Sequence, residues 1–167
     1  MERLSSVIFA SVGSQLPFPR MMQVVDQWAA RNAATRVLAQ VGDDEGEYVH
    51  CEVCKSMTAK QYAEAVRSAK VVVSHAGMGT VLTALQCGTP IIVTPRRGSL
   101  HEARGEHQLA TAKWLEKTGS VSVATDEEHL GVLMDNLEDT VLGVRISSHA
   151  SPQLIGAIRQ FIRQSQD

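Results

Sequence analysis

The chain has 167 residues, 44% of them hydrophobic and only 4% aromatic, which suits one soluble α/β domain with a core of Val, Leu, Ile and Ala. The 16 basic and 18 acidic residues leave a net charge of −2, and no basic block or aromatic–basic interleaving marks a nucleic-acid surface. No apolar run approaches the roughly 18 residues of a membrane span, and three cysteines without a convincing leader point to reduced thiols in the cytoplasm.

Short apolar runs alternate with longer periodic segments along the chain. Ser5–Gly13 reads as a buried strand ending at a Gly-Ser turn. After the Pro17–Pro19 loop, Met21, Met22, Val24, Val25 and Trp28 recur at helical spacing. Thr35–Gly42 is a second strand closed by the polar turn "DDEGE", and Tyr48–Cys54 a third. Met57–Ala69 is a helix with Thr58 as its cap. Lys70–His75 (strand), Met78–Cys87 (helix), Thr89–Pro95 (strand), Glu106–Lys117 (helix), Ser120–Thr125 (strand) and Asp126–Leu137 (helix) follow in turn. Asn136–His149 fits a loop, a helix or a short edge strand. A last helix over 152–165 carries Leu154, Ile155, Ile158 and Ile162 on one side. Continuous β-branched strands, each followed by a helix, require a mainly parallel sheet covered on both faces. The expected fold is a doubly wound, Rossmann-like domain spanning 1–167.

The segment "VVVSHAGMGTVLTALQCGTPIIVTPRR" carries the chemistry. Ligands of open parallel sheets sit beyond the C-terminal strand ends, where Val71–Val73 run into a helix starting near Met78 or Gly79. The first N–H groups of that helix lack intrahelical partners and carry the positive end of its dipole. Gly77 and Gly79 leave room for an oxygen anion, while Thr80 offers a hydroxyl and His75 a ring N–H. A tight strand–helix turn that binds nothing is the other reading of these glycines. The spacing matches neither Gly-x-Gly-x-x-Gly nor a Walker loop. Cys51 and Cys54 fall in an apparent strand on opposite faces, without a second ligand pair for zinc.

Together with "YAEAVRSAK" before it, "EHQLATAKWLEKTG" after it and the opening "VIFASVGSQLPFPRMMQVVDQW", this segment resembles the C-terminal, donor-binding domain of family 28-type inverting glycosyltransferases. It is most similar to their single-domain branch, which includes the nucleotide-sugar-binding subunit of the dolichol-pathway N-acetylglucosaminyltransferase and bacterial exopolysaccharide counterparts. The resemblance implies that His75, Gly77, Met78, Gly79 and Thr80, with Gly13 and Ser14, hold the diphosphate of a UDP-sugar. It implies that Glu106, His107 and Gln108 meet the sugar hydroxyls; Glu106 equally suits the positive end of its own helix. Relatives carry an acidic residue for the ribose where this chain has Thr83, which can make one bond but not a bidentate contact. Val53 and Met57 lie where relatives pack on the base. Arg96 and Arg97 suit a diphosphate, the carboxylate of an acidic donor sugar, or a solvated loop. His101, Glu102 and Arg104 continue that polar loop.

What the resemblance implies as a whole is the donor-binding subunit of a split inverting glycosyltransferase. It would move a hexose, N-acetylhexosamine or hexuronic acid from a UDP-sugar to a lipid-linked acceptor in polysaccharide or glycolipid synthesis. No metal or other cofactor is expected. The general base and acceptor site would come from a membrane-associated partner subunit, holding this chain at the inner face of the membrane. A non-catalytic UDP-sugar-binding regulator and an epimerase-like fragment are the alternatives. An exposed apolar patch would mark the partner surface and allow homo-oligomers of the isolated chain.

Overall fold

The structure, a computed structural model, describes residues 7–140 and 145–164. Six strands, β1 (Val7–Ser11), β2 (Arg36–Gln40), β3 (Glu52–Cys54), β4 (Val71–His75), β5 (Ile91–Thr94) and β6 (Ser122–Val123), form one sheet in the order β3-β2-β1-β4-β5-β6. Every pairing is parallel, with Ile8 opposite Val37 on one side and Val71 on the other. The connecting helices are α1 (Pro19–Arg31), α2 (Ala59–Ser68), α3 (Met78–Cys87), α4 (His107–Thr118) and α5 (Glu127–Asp135), followed by α6 (Pro152–Gln164).

The period of two along each strand divides the core into two layers. Ile8, Ala10, Val71, Val73 and Ile92 face Met21, Met22, Val25 and Trp28 of α1 and Leu130 and Met134 of α5. Phe9, Val72, Ile91 and Val93 face Val66, Val81, Leu85, Ala112 and Leu115, from α2, α3 and α4. Both faces of the sheet are therefore covered, and its central strands are apolar up to their C-terminal ends at Ser11 and Ser74–His75, as a doubly wound sheet requires. Thr58 caps α2 reciprocally with Gln61, and Asp126 caps α5 through the His129 N–H.

Several boundaries differ from those expected. The third strand is only Glu52–Cys54, so Tyr48–Cys51 does not pair with the sheet and Cys51 is not a strand residue. The cause is Asp44, a buried carboxylate that accepts hydrogen bonds from the Phe18 and Gly46 N–H groups and the Tyr48 hydroxyl, folding this stretch back on itself. β6 is two residues long, and the fifth helix ends at Asp135 before a 3-10 turn at Leu137–Asp139. Within the ambiguous stretch, Ile146 donates its N–H to the Leu85 carbonyl, and residues 141–144 lie outside the described residues. So do Ser5 and Ser6 of the first expected strand and Ser165 of the last helix. α6 forms as expected, but every one of its residues is exposed.

Candidate functional site

β1, β2 and β3 step outward on one side of the sheet and β4, β5 and β6 on the other. The loops after β1 and β4 therefore diverge, leaving a crevice at the C-terminal edge where the strand order reverses. A cleft of about 1320 Å³ occupies it. Its floor and walls include Gly13, Ser14, Met57, His75, Gly79, Thr80, Thr83, Arg96, His107 and Gln108, ten of the residues expected at the site. Gly77, Met78, Val53, Arg97 and Glu106 are not among the lining residues. A second hollow of about 380 Å³ is lined by Asp43, Asp44, Glu45 and Glu47 and would repel a phosphate.

α3 opens at Gly77 with no side-chain cap, so the N–H groups of its first turn have no acceptor within the helix. Around Gly79 the space beyond the backbone is empty, which leaves that turn open to a ligand. Gly77 has a different reason to be glycine. A Cβ there would stand 2.0 Å from Nε2 of His75, and one at Gly13 would stand 2.5 Å from Cε1 of the same ring. Gly13 also has φ +84°, a conformation that costs any other residue. The two glycines thus clear a slot for the imidazole. In wild type, Gly77→Ala is expected to cost about 1–3 kcal/mol of stability by overpacking. In a His75→Ala background the same change should cost almost nothing, because φ −97° at Gly77 suits alanine. Urea unfolding of the four proteins measures this coupling, and additive effects would remove the slot argument.

Burial, reinforced by the Arg96 guanidinium, pushes the His75 pKa down to about 4, against the opposing pull of a hydrogen bond to the Ser11 backbone. The ring is therefore neutral at pH 7. Thr80, almost fully buried, sets its hydroxyl 2.7 Å from the Tyr62 hydroxyl. Tyr62 reaches Ser11 at 3.1 Å, and Ser11 donates to Gln40 Oε1 at 2.9 Å. The Gln40 amide nitrogen in turn donates to the carbonyls of Gly13 and Lys55. One polar chain thus ties the loops after β1, β2, β3 and β4 beneath the cleft. Its members Ser11, Gln40 and Tyr62 had no signal in the sequence beyond being polar residues in apolar runs.

Arg96 is 3% exposed. Its Nη2 donates to the Val12 carbonyl at 2.7 Å and to the Leu16 carbonyl, with Pro17 O at 3.4 Å, while its guanidinium lies 5.0 Å from the centroid of the Phe18 ring. Its Nε is buried without a partner among the described residues. Gln108 accepts the Arg96 N–H through Oε1 at 3.0 Å, so the NH₂ end of its amide is what it can offer a ligand. Arg97 points its guanidinium to the Thr125 carbonyl, and Glu106 accepts the Ser99 N–H. Thr83 donates to the Gly79 carbonyl one turn back. Glu102, read in the sequence only as part of a polar loop, proves to be a clamp. It holds Arg20 of α1 through two bonds of 2.6 and 2.9 Å and accepts the Arg97 N–H. Arg20 also lies over Phe18, at 5.2 Å, so that ring sits in contact with two cations. Lys55 and Arg104 add positive charge to the cleft lining, and Asp43, shared with the acidic hollow, adds a negative one.

Residues 7–152 match the glycosyltransferase family 28 C-terminal domain. The chain belongs to this family. Among solved structures, the family 28 domain is similar to MurG of Acinetobacter baumannii at 17% identity and a TM-score of 0.63, covering 98% of this chain and 51% of that one. It is similar to ALG13, solved by NMR, at 18% identity and a TM-score of 0.60, covering 87% and 91%. Against Os79 of O. sativa, solved in complex with UDP, the values are 15%, 0.59, 80% and 32%. The chain thus spans about half or a third of the length of the larger proteins it matches. At these identities the likeness establishes the fold, a Rossmann-like lobe.

Proposed function

We propose that this domain binds the UDP-sugar donor of an inverting glycosyltransferase, with the donor lying across the cleft between the β1 and β4 loops. The observation that carries this reading is the uncapped N-terminus of α3, open at Gly79, facing a cleft that also holds the buried and incompletely paired Arg96. Met78, Gly79 and Thr80 would present N–H groups and a hydroxyl to the diphosphate, with Gly13 and Ser14 closing the opposite side. His75 would bound that pocket with its neutral ring. Thr83 would meet a ribose hydroxyl and Met57 would pack on the base, while Val53 lies outside the cleft lining. His107 and Gln108, with Glu106 fixing the loop ahead of them, would read the sugar hydroxyls.

In such a reaction the acceptor oxygen attacks the anomeric carbon, the bond to the UDP oxygen breaks, and the diphosphate leaves with the electron pair. The helix N-terminus would meet that charge as it develops, and no metal or other cofactor is part of this reading. Removal of the acceptor proton requires a base, which we assign to a membrane-associated partner subunit that also holds a lipid-linked acceptor. The donor would be a UDP-hexose, UDP-N-acetylhexosamine or UDP-hexuronic acid, and the work would take place at the cytoplasmic side of the membrane in polysaccharide or glycolipid synthesis. Among the described residues no helix is long and apolar enough to cross a bilayer.

Calorimetric titration with UDP, ADP and a panel of UDP-sugars tests the donor site. Selective binding of the UDP compounds is expected, and ligand at ~100 times its dissociation constant should stabilise the fold by about 2.7 kcal/mol. Equal affinity for ADP and UDP would end the reading of Met57 as part of a base pocket. Binding of none of them would end the donor assignment for the chain on its own.

A further inference from the structure

We propose that Tyr62 is a positioning residue for the diphosphate, acting through Thr80 by the reversal of two hydroxyl groups, a role that rests on the diphosphate position proposed above. The polar chain beneath the cleft has enough partners to fix where each of its protons lies. Gln40 is its anchored end. The Gln40 amide nitrogen donates to the Gly13 and Lys55 carbonyls, which leaves Oε1 for Ser11. An amide oxygen only accepts, so the single proton of the Ser11 hydroxyl, 2.9 Å away, points at Gln40. Ser11 can then only accept from its other two partners, the Gly13 N–H at 3.2 Å and the Tyr62 hydroxyl at 3.1 Å. That commits the one proton of Tyr62. The 2.7 Å bond between Tyr62 and Thr80 must therefore be made by the Thr80 proton. With no ligand bound, Thr80 turns lone pairs towards the cleft, the wrong polarity for a phosphate oxygen.

A diphosphate at the first turn of α3 requires the opposite arrangement. Thr80 rotates its proton to a phosphate oxygen, and the Tyr62 hydroxyl rotates its proton from Ser11 to Thr80. No covalent bond changes, and no donor is left unpaired. Ser11 keeps its bond to Gln40 and still accepts the Gly13 N–H. One neutral bond, Tyr62 to Ser11, is exchanged for a charge-assisted one, Thr80 to phosphate. The Tyr62 ring packs edge-on to Phe9, with centroids 5.3 Å apart, so the phenol stays within reach of both partners while only its proton moves. The resting direction thus weakens the binding of any diphosphate by the worth of one neutral hydrogen bond, a factor of about five.

Calorimetric titration of the full chain with UDP and with uridine tests this in wild type, Tyr62→Phe, Thr80→Val and the double variant. Phenylalanine keeps the ring against Phe9 and leaves Ser11 its bonds to Gln40 and Gly13, so Tyr62→Phe should fold, as a melting curve checks. With no bond to give up, it is expected to bind UDP about fivefold more tightly and uridine as wild type does. Thr80→Val should bind UDP several-fold more weakly, and adding Tyr62→Phe to it should change nothing further. Infrared spectra of protein carrying ring-labelled tyrosine give a second readout. The chain has two tyrosines, so the C–O stretch of Tyr62 is identified by its loss in Tyr62→Phe or its survival in Tyr48→Phe. On saturation of wild type with UDP it should change from that of a phenol that donates and accepts to that of one that only donates. Unchanged or weaker UDP binding by Tyr62→Phe, an equal change for uridine, an effect that persists beside Thr80→Val, or an unmoved band would each overturn the role of Tyr62 and leave the donor site standing. No binding of UDP by wild type would instead remove the donor site, and the role of Tyr62 with it.

Discussion

Replacing Arg96 with methionine is expected to lower the unfolding free energy by about 4 kcal/mol, because hydrogen bonds from a charged donor contribute about 1.5–3 kcal/mol each and here at least two are lost. Methionine fills much of the volume but leaves the Val12 and Leu16 carbonyls without their donor. It also removes one of the two cations against the buried Phe18 ring. The segment released includes Gly13 and Ser14, which line the cleft, so UDP affinity should fall as well. Arg96→Lys keeps the charge but loses the planar guanidinium face that lies over the Phe18 ring and the fixed Nη2 that reaches both carbonyls, and should recover less than half of the loss. Urea unfolding and UDP titration on the same samples separate two roles. Loss of affinity at wild-type stability would make Arg96 a ligand contact rather than the pin of the β1–α1 loop.

Stability should also fall on acidification because of His75. Its folded pKa of about 4 lies below the ordinary 6.5, so the folded protein holds the ring neutral while the unfolded chain takes up a proton. The stabilisation is complete above about pH 6.5 and is lost as the pH falls towards 4, a total of about 3 kcal/mol for a shift of this size. His75→Gln cannot take up that proton, so the difference between wild type and variant isolates the effect from the titrating carboxylates. Unfolding curves at a series of pH values between 7.5 and 4 are the measurement, and parallel pH dependences would show that the imidazole is not held neutral. Diphosphate in the cleft would oppose the shift by favouring the imidazolium. UDP binding should then strengthen as the pH falls and be accompanied by proton uptake, seen as a dependence of the binding heat on buffer ionisation.

The parts of this molecule that could be read in advance are those encoded locally. Val71–His75 announces a buried strand, and Gly77 to Cys87 a glycine-led helix, because period and composition change within a few residues. The strand at Tyr48–Cys54 was misjudged for a related reason. Tyr48, Val49 and Cys51 satisfy a strand pattern, but their course is decided by Asp44 and by Phe18, far away in the chain. The same applies to the arginines. Arg96 and Arg20 look like surface cations until Leu16, Phe18 and Glu102 are brought beside them, and only the fold does that. In the glycine corner Gly79 lines the cleft, while a Cβ at Gly77 would run into the His75 ring, a packing demand that the sequence does not distinguish from room for a ligand. A missing Cβ looks the same in the sequence whichever atom occupies its place.

The pairing of β1 with β4 also bears on how the chain folds. Ile8 meets Val71 only after the whole of β2, β3 and α2 has been made, so this ladder closes a long loop. Until β4 emerges from the ribosome, the edge of β1 is unpaired and apolar, and it is the point from which a nascent or nicked chain would aggregate. The two banks of the cleft likewise do not exist as a pair before that step. A ligand that bridges them would reward only the completed sheet, acting on the last stage of assembly rather than on either half.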